Sequence, residues 1–131
     1  MSNICGINHV TILVKNKQKS EEFYINILGL EKIQKGDHLW VKIGNQFIHL
    51  SQNSGEPLVN TFYHFAIEVE NLLDYLQKLI LKEVQIFDFD SNLQPQEINK
   101  NLKKPHRLFF TKDPDGNLIE FIDKQNDFYH I

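Results

Sequence analysis

The sequence contains two copies of one short pattern, and this internal repeat limits the possible folds more than any other feature does. The segments Asn8–Asn16 and Tyr63–Asn71 both read as a strand that enters a turn, with His, Ile, Val and Asn at matching positions. A second pair of similar segments follows: Gly44–Leu50 resembles Gly116–Phe121, with one additional residue in the first copy. Each half of the chain therefore opens with a histidine-bearing strand and closes with a Gly-Asn turn into another strand. This repetition predicts two similar modules.

Between these landmarks the spacing of apolar residues changes to the period of a helix. It predicts helices over Lys17–Leu28 and Asn71–Leu81. Gly29 stands where a glycine would end the first helix, and Asn71 is placed to cap the start of the second. Short strands are predicted after each helix: Glu31–Gln34, His38–Ile43 and Gln46–Ser51 in the first half, and Val84–Phe87, Arg107–Lys112 and Asn117–Asp123 in the second.

Each half therefore reads β-α-β-β-β, and this order predicts the α+β fold class. We expect a single domain over residues 1–131, built from a first βαβββ module at 7–52 and a second at 62–123. The two modules would form a cupped, barrel-like mixed sheet with the helices outside. Residues Asp88–Pro105 are polar and long for a loop in a compact domain, so they would be either a binding segment or lid, or a floppy insertion.

The charge balance and the apolar pattern exclude several classes of function. The 14 Lys and Arg residues against 17 Asp and Glu give a net charge of −3, which argues against a nucleic-acid partner. No apolar run approaches the roughly 18–20 residues that cross a bilayer, and the first residues do not resemble a secretory signal. The single cysteine, Cys5, cannot form an internal disulfide. We therefore expect a cytoplasmic protein with neither a nucleic-acid nor a membrane partner.

Four side chains of metal-binding type fall on the same kind of sheet face, because side chains alternate along a strand. Their apolar neighbours pack on the helices, which leaves on the opposite faces His9, His49, His64 and Glu120. If the two halves curl their sheets towards each other, all four converge in one cup. Imidazole and carboxylate groups on a concave surface favour a divalent transition metal. We expect one such ion per site, and the alternative is a metal-free pocket that uses the same polar side chains.

Two further residues are candidates for substrate binding. Trp40 lies opposite Leu39 and Val41 on its strand, so it either lines the cup or is an ordinary packed aromatic residue. Arg107 would either pair with an anionic substrate or stand exposed at the end of a strand. His38 lies in a predicted turn and is interpreted as a surface residue.

A resemblance to a known family is carried by the segments Asn8-His9-Val10, Phe47-Ile48-His49-Leu50, Tyr63-His64-Phe65 and Arg107–Phe121. Together with the paired β-α-β-β-β halves, these segments resemble the vicinal oxygen chelate superfamily. This superfamily includes glyoxalase I, extradiol dioxygenases, fosfomycin-resistance proteins and bleomycin-resistance proteins. The similarity runs from about Ile7 to Asp123. It implies metal ligands on the first, fourth, fifth and eighth strands, and those positions hold the same four residues that the alternation selects.

The residue on the fourth strand departs from the pattern of the resembled families. Glyoxalase I usually has a glutamate there, whereas this chain has His49. Extradiol dioxygenases and fosfomycin-resistance proteins use only three protein ligands, a pattern that His9, His64 and Glu120 also satisfy. If His49 binds the metal, proton transfer is favoured, with Glu120 as the catalytic base while three imidazoles hold the ion. If it does not, dioxygenase or thiol-transfer chemistry gains weight.

The resemblance therefore implies a metal-dependent lyase or isomerase of the glyoxalase type. It would act by metal-assisted proton transfer on a small substrate with vicinal oxygens, using zinc, nickel, cobalt, manganese or iron. Members of this length are commonly homodimers, so we expect a homodimer here as well. The alternatives are an extradiol-type dioxygenase and a non-enzymatic, drug-binding protein of the bleomycin-resistance type.

Overall fold

The computed structural model describes residues 3–52, 55–57, 61–98 and 108–125. It confirms the α+β class and the repeated order of strand, helix and strands. The chain divides into two compact units, Met1–Asn60 with Pro114–Asn117, and Thr61–Asp113 with Leu118–Ile131. A single domain with modules at 7–52 and 62–123 stays a prediction.

The first unit is one mixed sheet with a helix on one face. Its elements are β1 (His9–Val14), α1 (Lys17–Glu21), a π-helical segment (Glu22–Ile27), β2 (Glu31–Lys35), β3 (His38–Ile43) and β4 (Gln46–Gln52). The strand order is β1-β4-β3-β2, in which β1 and β4 are parallel and the other pairs are antiparallel. Asn16 begins the helix, because its side-chain oxygen accepts a hydrogen bond from the Lys19 amide at 3.1 Å.

The predicted helix over Lys17–Leu28 is helical to Ile27, but its second half has a wider turn than an α-helix. The Leu28 amide donates to the carbonyl of Phe23, five residues earlier, at 2.8 Å. The widened turn accompanies the burial of two adjacent rings, Phe23 and Tyr24. Apolar periodicity alone does not distinguish the two kinds of turn, because both place a residue of the next turn over the same face.

The second unit is a mixed sheet of five strands with a longer helix. Its elements are β5 (His64–Val69), α2 (Leu72–Leu81), β6 (Phe87–Phe89), β7 (Pro95–Glu97), β8 (Leu108–Lys112) and β9 (Leu118–Asp123). The strand order is β5-β9-β8-β6-β7, and only β5 and β9 are parallel. Asn71 caps α2 as predicted, since its side chain accepts from the Asp74 amide at 3.1 Å. No helix in the described part of the chain is long and apolar enough to cross a membrane.

Two predictions in the second unit are wrong. The strand predicted at Val84–Phe87 lies at Phe87–Phe89, because the Val84 amide still closes the end of α2 on the Leu79 carbonyl at 3.1 Å. The segment predicted as a loop from Asp88 contains β7, which is exposed along its whole length and therefore lacks an apolar pattern. Pro95 fits there because β7 pairs only with β6 and forms the sheet edge. Residues 99–107 lie outside the described residues.

Candidate metal centre

The first unit brings His9 and His49 together on neighbouring parallel strands. His9 on β1 is opposite Phe47, and His49 on β4 is two residues further along and opposite Thr11. Their ring centroids are 6.4 Å apart. Ile48 on the alternate face of β4 is buried. The predicted alternation is thus confirmed within this unit.

His49 has an environment that favours the neutral form of its imidazole. Its ring stacks on Trp40 with centroids 4.3 Å apart and planes 6° apart, and the ring of His38 meets it edge-on at 5.0 Å. Burial lowers the pKa of His49, and the positive potential of His38 and His9 lowers it further. Its Nε2 atom is buried and has no hydrogen-bond partner among the described residues. A buried nitrogen without a partner is costly, and a metal ion would supply the partner that it lacks.

His9 is oriented by its neighbour in the chain. Its Nδ1 lies 2.8 Å from the side-chain oxygen of Asn8, which can only accept, so Nδ1 carries the proton. The lone pair of His9 is therefore on Nε2, which is the state that a metal ligand needs.

The second unit brings His64 and Glu120 together in the same way. Nδ1 of His64 donates to the main-chain carbonyl of Phe62 at 2.7 Å, which places the lone pair on Nε2. This Nε2 lies 3.7 Å from Oε2 of Glu120. The side chains of His64 and Glu120 are 22% and 8% exposed, respectively. The imidazole is thus held in place and its free nitrogen faces a buried carboxyl group.

The two pairs occupy equivalent positions in the two sheets. His9 is opposite Phe47, two residues before His49, and His64 is opposite Leu118, two residues before Glu120. Both pairs therefore lie on the same diagonal of a parallel strand pair. The repeat seen in the sequence extends to the strand register, and Glu120 takes the position that His49 takes in the first unit.

Glu120 is a buried carboxyl group with a raised pKa. Burial is the largest cause of the upward shift, the electrostatic interaction with His64 opposes it, and Asp88 adds to it. Phe110 is directly opposite Glu120 on β8, and its ring lies 5.3 Å from that of His64. A carboxylate whose pKa is raised towards neutrality is a stronger base than an exposed one.

The spacing of His64 and Glu120 is close to that of two ligands of one divalent ion. Bonds of about 2.0–2.2 Å from one ion to nitrogen and oxygen place two ligand atoms roughly 3–3.5 Å apart. The 3.7 Å between His64 and Glu120 is close to that spacing and longer than a hydrogen bond. Among the described residues of either unit, no three or more His, Cys, Asp or Glu side chains are grouped so as to hold a metal. The convergence of all four ligands in one site stays a prediction.

The other predicted site residues have different outcomes. Trp40 lies on the same face as His49 and His9 and contacts both rings. Arg107 lies outside the described residues. His38 is exposed, as predicted, but its ring also contacts His49, which the sequence reasoning missed. The strand alternation could have found it, because His38 is two residues from Trp40 on β3. No sequence signal pointed to the carbonyl of Phe62.

The chain is similar to several known proteins. The model of the Glyoxalase/Bleomycin resistance protein/Dioxygenase superfamily matches residues 6–121. The metallothiol transferase FosB of Staphylococcus epidermidis is 28% identical, over 89% of this chain and 82% of that protein. Lactoylglutathione lyase of Neisseria meningitidis serogroup A is 24% identical, over 90% of each. Among solved structures, a glyoxalase family protein from Bacillus anthracis has a TM-score of 0.73 and 26% identity, covering 94% of this chain and 98% of that one.

Proposed function

Because this chain belongs to the glyoxalase/bleomycin resistance protein/dioxygenase superfamily, we propose that it is a metal-dependent lyase or isomerase of the glyoxalase type. Its substrate is a small molecule with two vicinal oxygens, and its reaction is the transfer of a proton within that molecule. One observation carries this proposal: Nε2 of His64 lies 3.7 Å from Oε2 of the buried Glu120. The Phe62 carbonyl orients the imidazole of His64, and burial raises the pKa of the Glu120 carboxyl group that faces it.

The ligand set is His9, His49, His64 and Glu120, and it holds one divalent ion of zinc, nickel, cobalt, manganese or iron. When bound, the ion acts as a Lewis acid that polarises the oxygens of the substrate. The chain prepares its imidazoles for this role by orienting two of them and by disfavouring the charged form of the third. Asn8 and the Phe62 carbonyl accept the Nδ1 protons of His9 and His64, while burial lowers the pKa of His49.

Glu120 is the base of the proposed reaction. Its carboxylate takes a proton from the carbon next to the substrate carbonyl and returns it to the neighbouring atom. Burial raises the pKa of Glu120 in the metal-free chain, which makes its carboxylate a stronger base when it is not bound to the ion. Three imidazoles would hold the ion while the carboxylate of Glu120 carries the proton. His49 on β4 supplies the third of these imidazoles.

A second candidate is the transfer of a thiol to a small substrate. The similarity to a metallothiol transferase favours it. In that case His9, His64 and Glu120 form a three-residue ligand set, and His49 stands beside the ion without binding it. Substitution His49→Ala separates the two candidates, since it lowers metal affinity only if His49 is a ligand. A protein that binds iron and consumes dioxygen, or one that binds no metal, would instead support the dioxygenase or the drug-binding alternative.

The proposed reaction is tested by deuterium exchange. Zinc- or nickel-loaded protein is incubated in deuterated water with S-lactoylglutathione and with small α-hydroxy ketones, and exchange at the carbon next to the carbonyl is followed by NMR. We expect exchange with at least one compound, and a fall of about 10²- to 10⁴-fold in Glu120→Gln, because this change keeps the shape of the side chain but removes the base.

The matched control for this experiment is Glu97→Gln, which removes an exposed carboxylate from the same sheet at β7. It should leave exchange unchanged. Exchange in Glu120→Gln at the wild-type rate would contradict the proposed base. Metal-loaded wild-type protein that exchanges none of the compounds would contradict the reaction class.

A further inference from the structure

Trp40 is the centre of the ring contacts in the first unit. The ring centroid of its indole lies 4.3 Å from that of His49, on which it stacks, and 5.1 Å from that of His9. Trp40 therefore contacts both candidate ligands of that unit. We propose that Trp40 is a positioning residue that fixes the imidazole of His49 and raises its affinity for the metal ion. This inference rests on the proposed function, because it concerns the same ligand set.

The geometry of the stack determines the direction of the His49 nitrogens. Trp40 and His49 are directly opposite on the antiparallel strands β3 and β4. Their planes differ by only 6°, so rotation of the imidazole about its side-chain bonds would break the contact along a whole ring face. The buried Nε2, which has no partner among the described residues, is therefore confined to the plane that the stack sets. Holding a ligand in its bound orientation removes part of the entropic cost of metal binding.

Trp40 is itself held from other sides. Phe47 on β4 meets the indole edge-on at 6.3 Å. The ammonium group of Lys35 lies 5.0 Å from the centre of the indole and 5.2 Å from the ring of Phe47. These contacts limit the movement of the indole, so that it acts as a fixed surface for the imidazole.

The stack also couples the electronic state of the two rings. A metal ion bound to an imidazole withdraws electron density from it, and the face of an indole is electron-rich. Their attraction is therefore stronger when the metal is bound than when it is absent. By linkage, the same difference in free energy increases the metal affinity of His49. Aromatic contacts of this kind contribute about 0.5–1.5 kcal/mol, which corresponds to roughly two- to tenfold in affinity.

The chain provides its own spectroscopic reporter, because Trp40 is its only tryptophan. Zinc is the suitable probe, since a d¹⁰ ion does not quench fluorescence by paramagnetism. We expect the tryptophan emission of the wild-type protein to change during a zinc titration, with the same midpoint as the heat measured by calorimetry. His49→Ala should reduce this emission change, because it removes the stacked ligand and leaves only His9 beside the indole. A merely structural role for Trp40 would give zinc binding without a change in emission.

Affinity is measured in Trp40→Leu, in Trp40→Phe and in the control Lys42→Ala, which alters an exposed side chain of the same strand. Trp40→Leu should lower zinc affinity by roughly two- to tenfold, Trp40→Phe should recover part of the loss, and Lys42→Ala should match the wild type. If Trp40→Leu does not fold, the ranking of Trp40→Phe below the wild type remains the test. Wild-type affinity in both Trp40 variants overturns the positioning role alone, whereas a wild-type protein that binds no zinc overturns the proposed function as well.

Discussion

Replacing His49 with phenylalanine should stabilise the metal-free protein while removing the stabilisation that metal provides. The buried Nε2 of His49 has no hydrogen-bond partner among the described residues. Such an atom costs about 1–3 kcal/mol of folding free energy. Phenylalanine removes the polar atom and keeps a flat ring against Trp40. We therefore expect the free energy of unfolding of the metal-free protein to rise by about 1 kcal/mol in His49→Phe, after allowance for the larger ring.

Zinc should change the difference in unfolding free energy between the two proteins in the opposite direction, in favour of the wild type. A ligand that is present at 100 times its dissociation constant stabilises a protein by about 2.7 kcal/mol. The wild-type protein should gain this stabilisation, while His49→Phe should gain much less at the same zinc concentration. Urea unfolding with a chelator and with zinc measures both quantities. His49→Leu is a second variant that removes the polar atom without adding a larger ring.

Two results would refute this reasoning. If His49→Phe and His49→Leu both unfold at lower urea concentration than the wild type in the presence of chelator, the buried nitrogen carries no penalty. If zinc stabilises either variant as much as the wild type, His49 is not a ligand.

Three further predictions concern a metal ligand, a buried tyrosine and the oligomeric state. His64→Ala should weaken metal binding strongly, because the remaining donors do not close the site; unchanged metal content after dialysis against nickel or zinc would remove His64 from the ligand set. Burial raises the pKa of Tyr75 to about 12. The unfolded chain therefore releases this proton earlier, and between about pH 10 and 12 the wild-type protein should lose about 2 kcal/mol of unfolding free energy relative to Tyr75→Phe; parallel pH profiles would contradict this. Light scattering should give twice the chain mass of 15.5 kDa, and a mass equal to one chain at micromolar concentrations would exclude the homodimer.

The features that the sequence predicts well are those that local physics determines. The two helices begin at Asn16 and Asn71 because both side chains accept hydrogen bonds from the first turn. The faces of β1 and β4 follow from the alternation of apolar residues, which placed His9 and His49 on the side away from the core. His64 and Glu120, which the repeat relates to His9 and His49, have the same strand register in the second unit.

The features that the sequence did not predict depend on tertiary contacts. The strand β7 is polar and exposed, so only its pairing with β6 defines it. The stacking of Trp40 on His49 follows from the register of β3 against β4, which alternation does not fix. The proton acceptor of His64 is a main-chain carbonyl two residues away, in a segment without regular structure. Such an acceptor has no side-chain signature.

X-ray absorption spectroscopy of the zinc-loaded wild-type protein tests the proposed metal centre most directly. This measurement gives the number of imidazoles and the distances of the atoms bound to the ion. The proposed ligand set of His9, His49, His64 and Glu120 predicts three imidazole nitrogens and at least one oxygen, at about 2.0–2.2 Å. Two imidazoles would remove one histidine from the set and favour the thiol-transfer candidate. A spectrum without any imidazole, or with sulfur at about 2.3 Å, would contradict the metal centre itself.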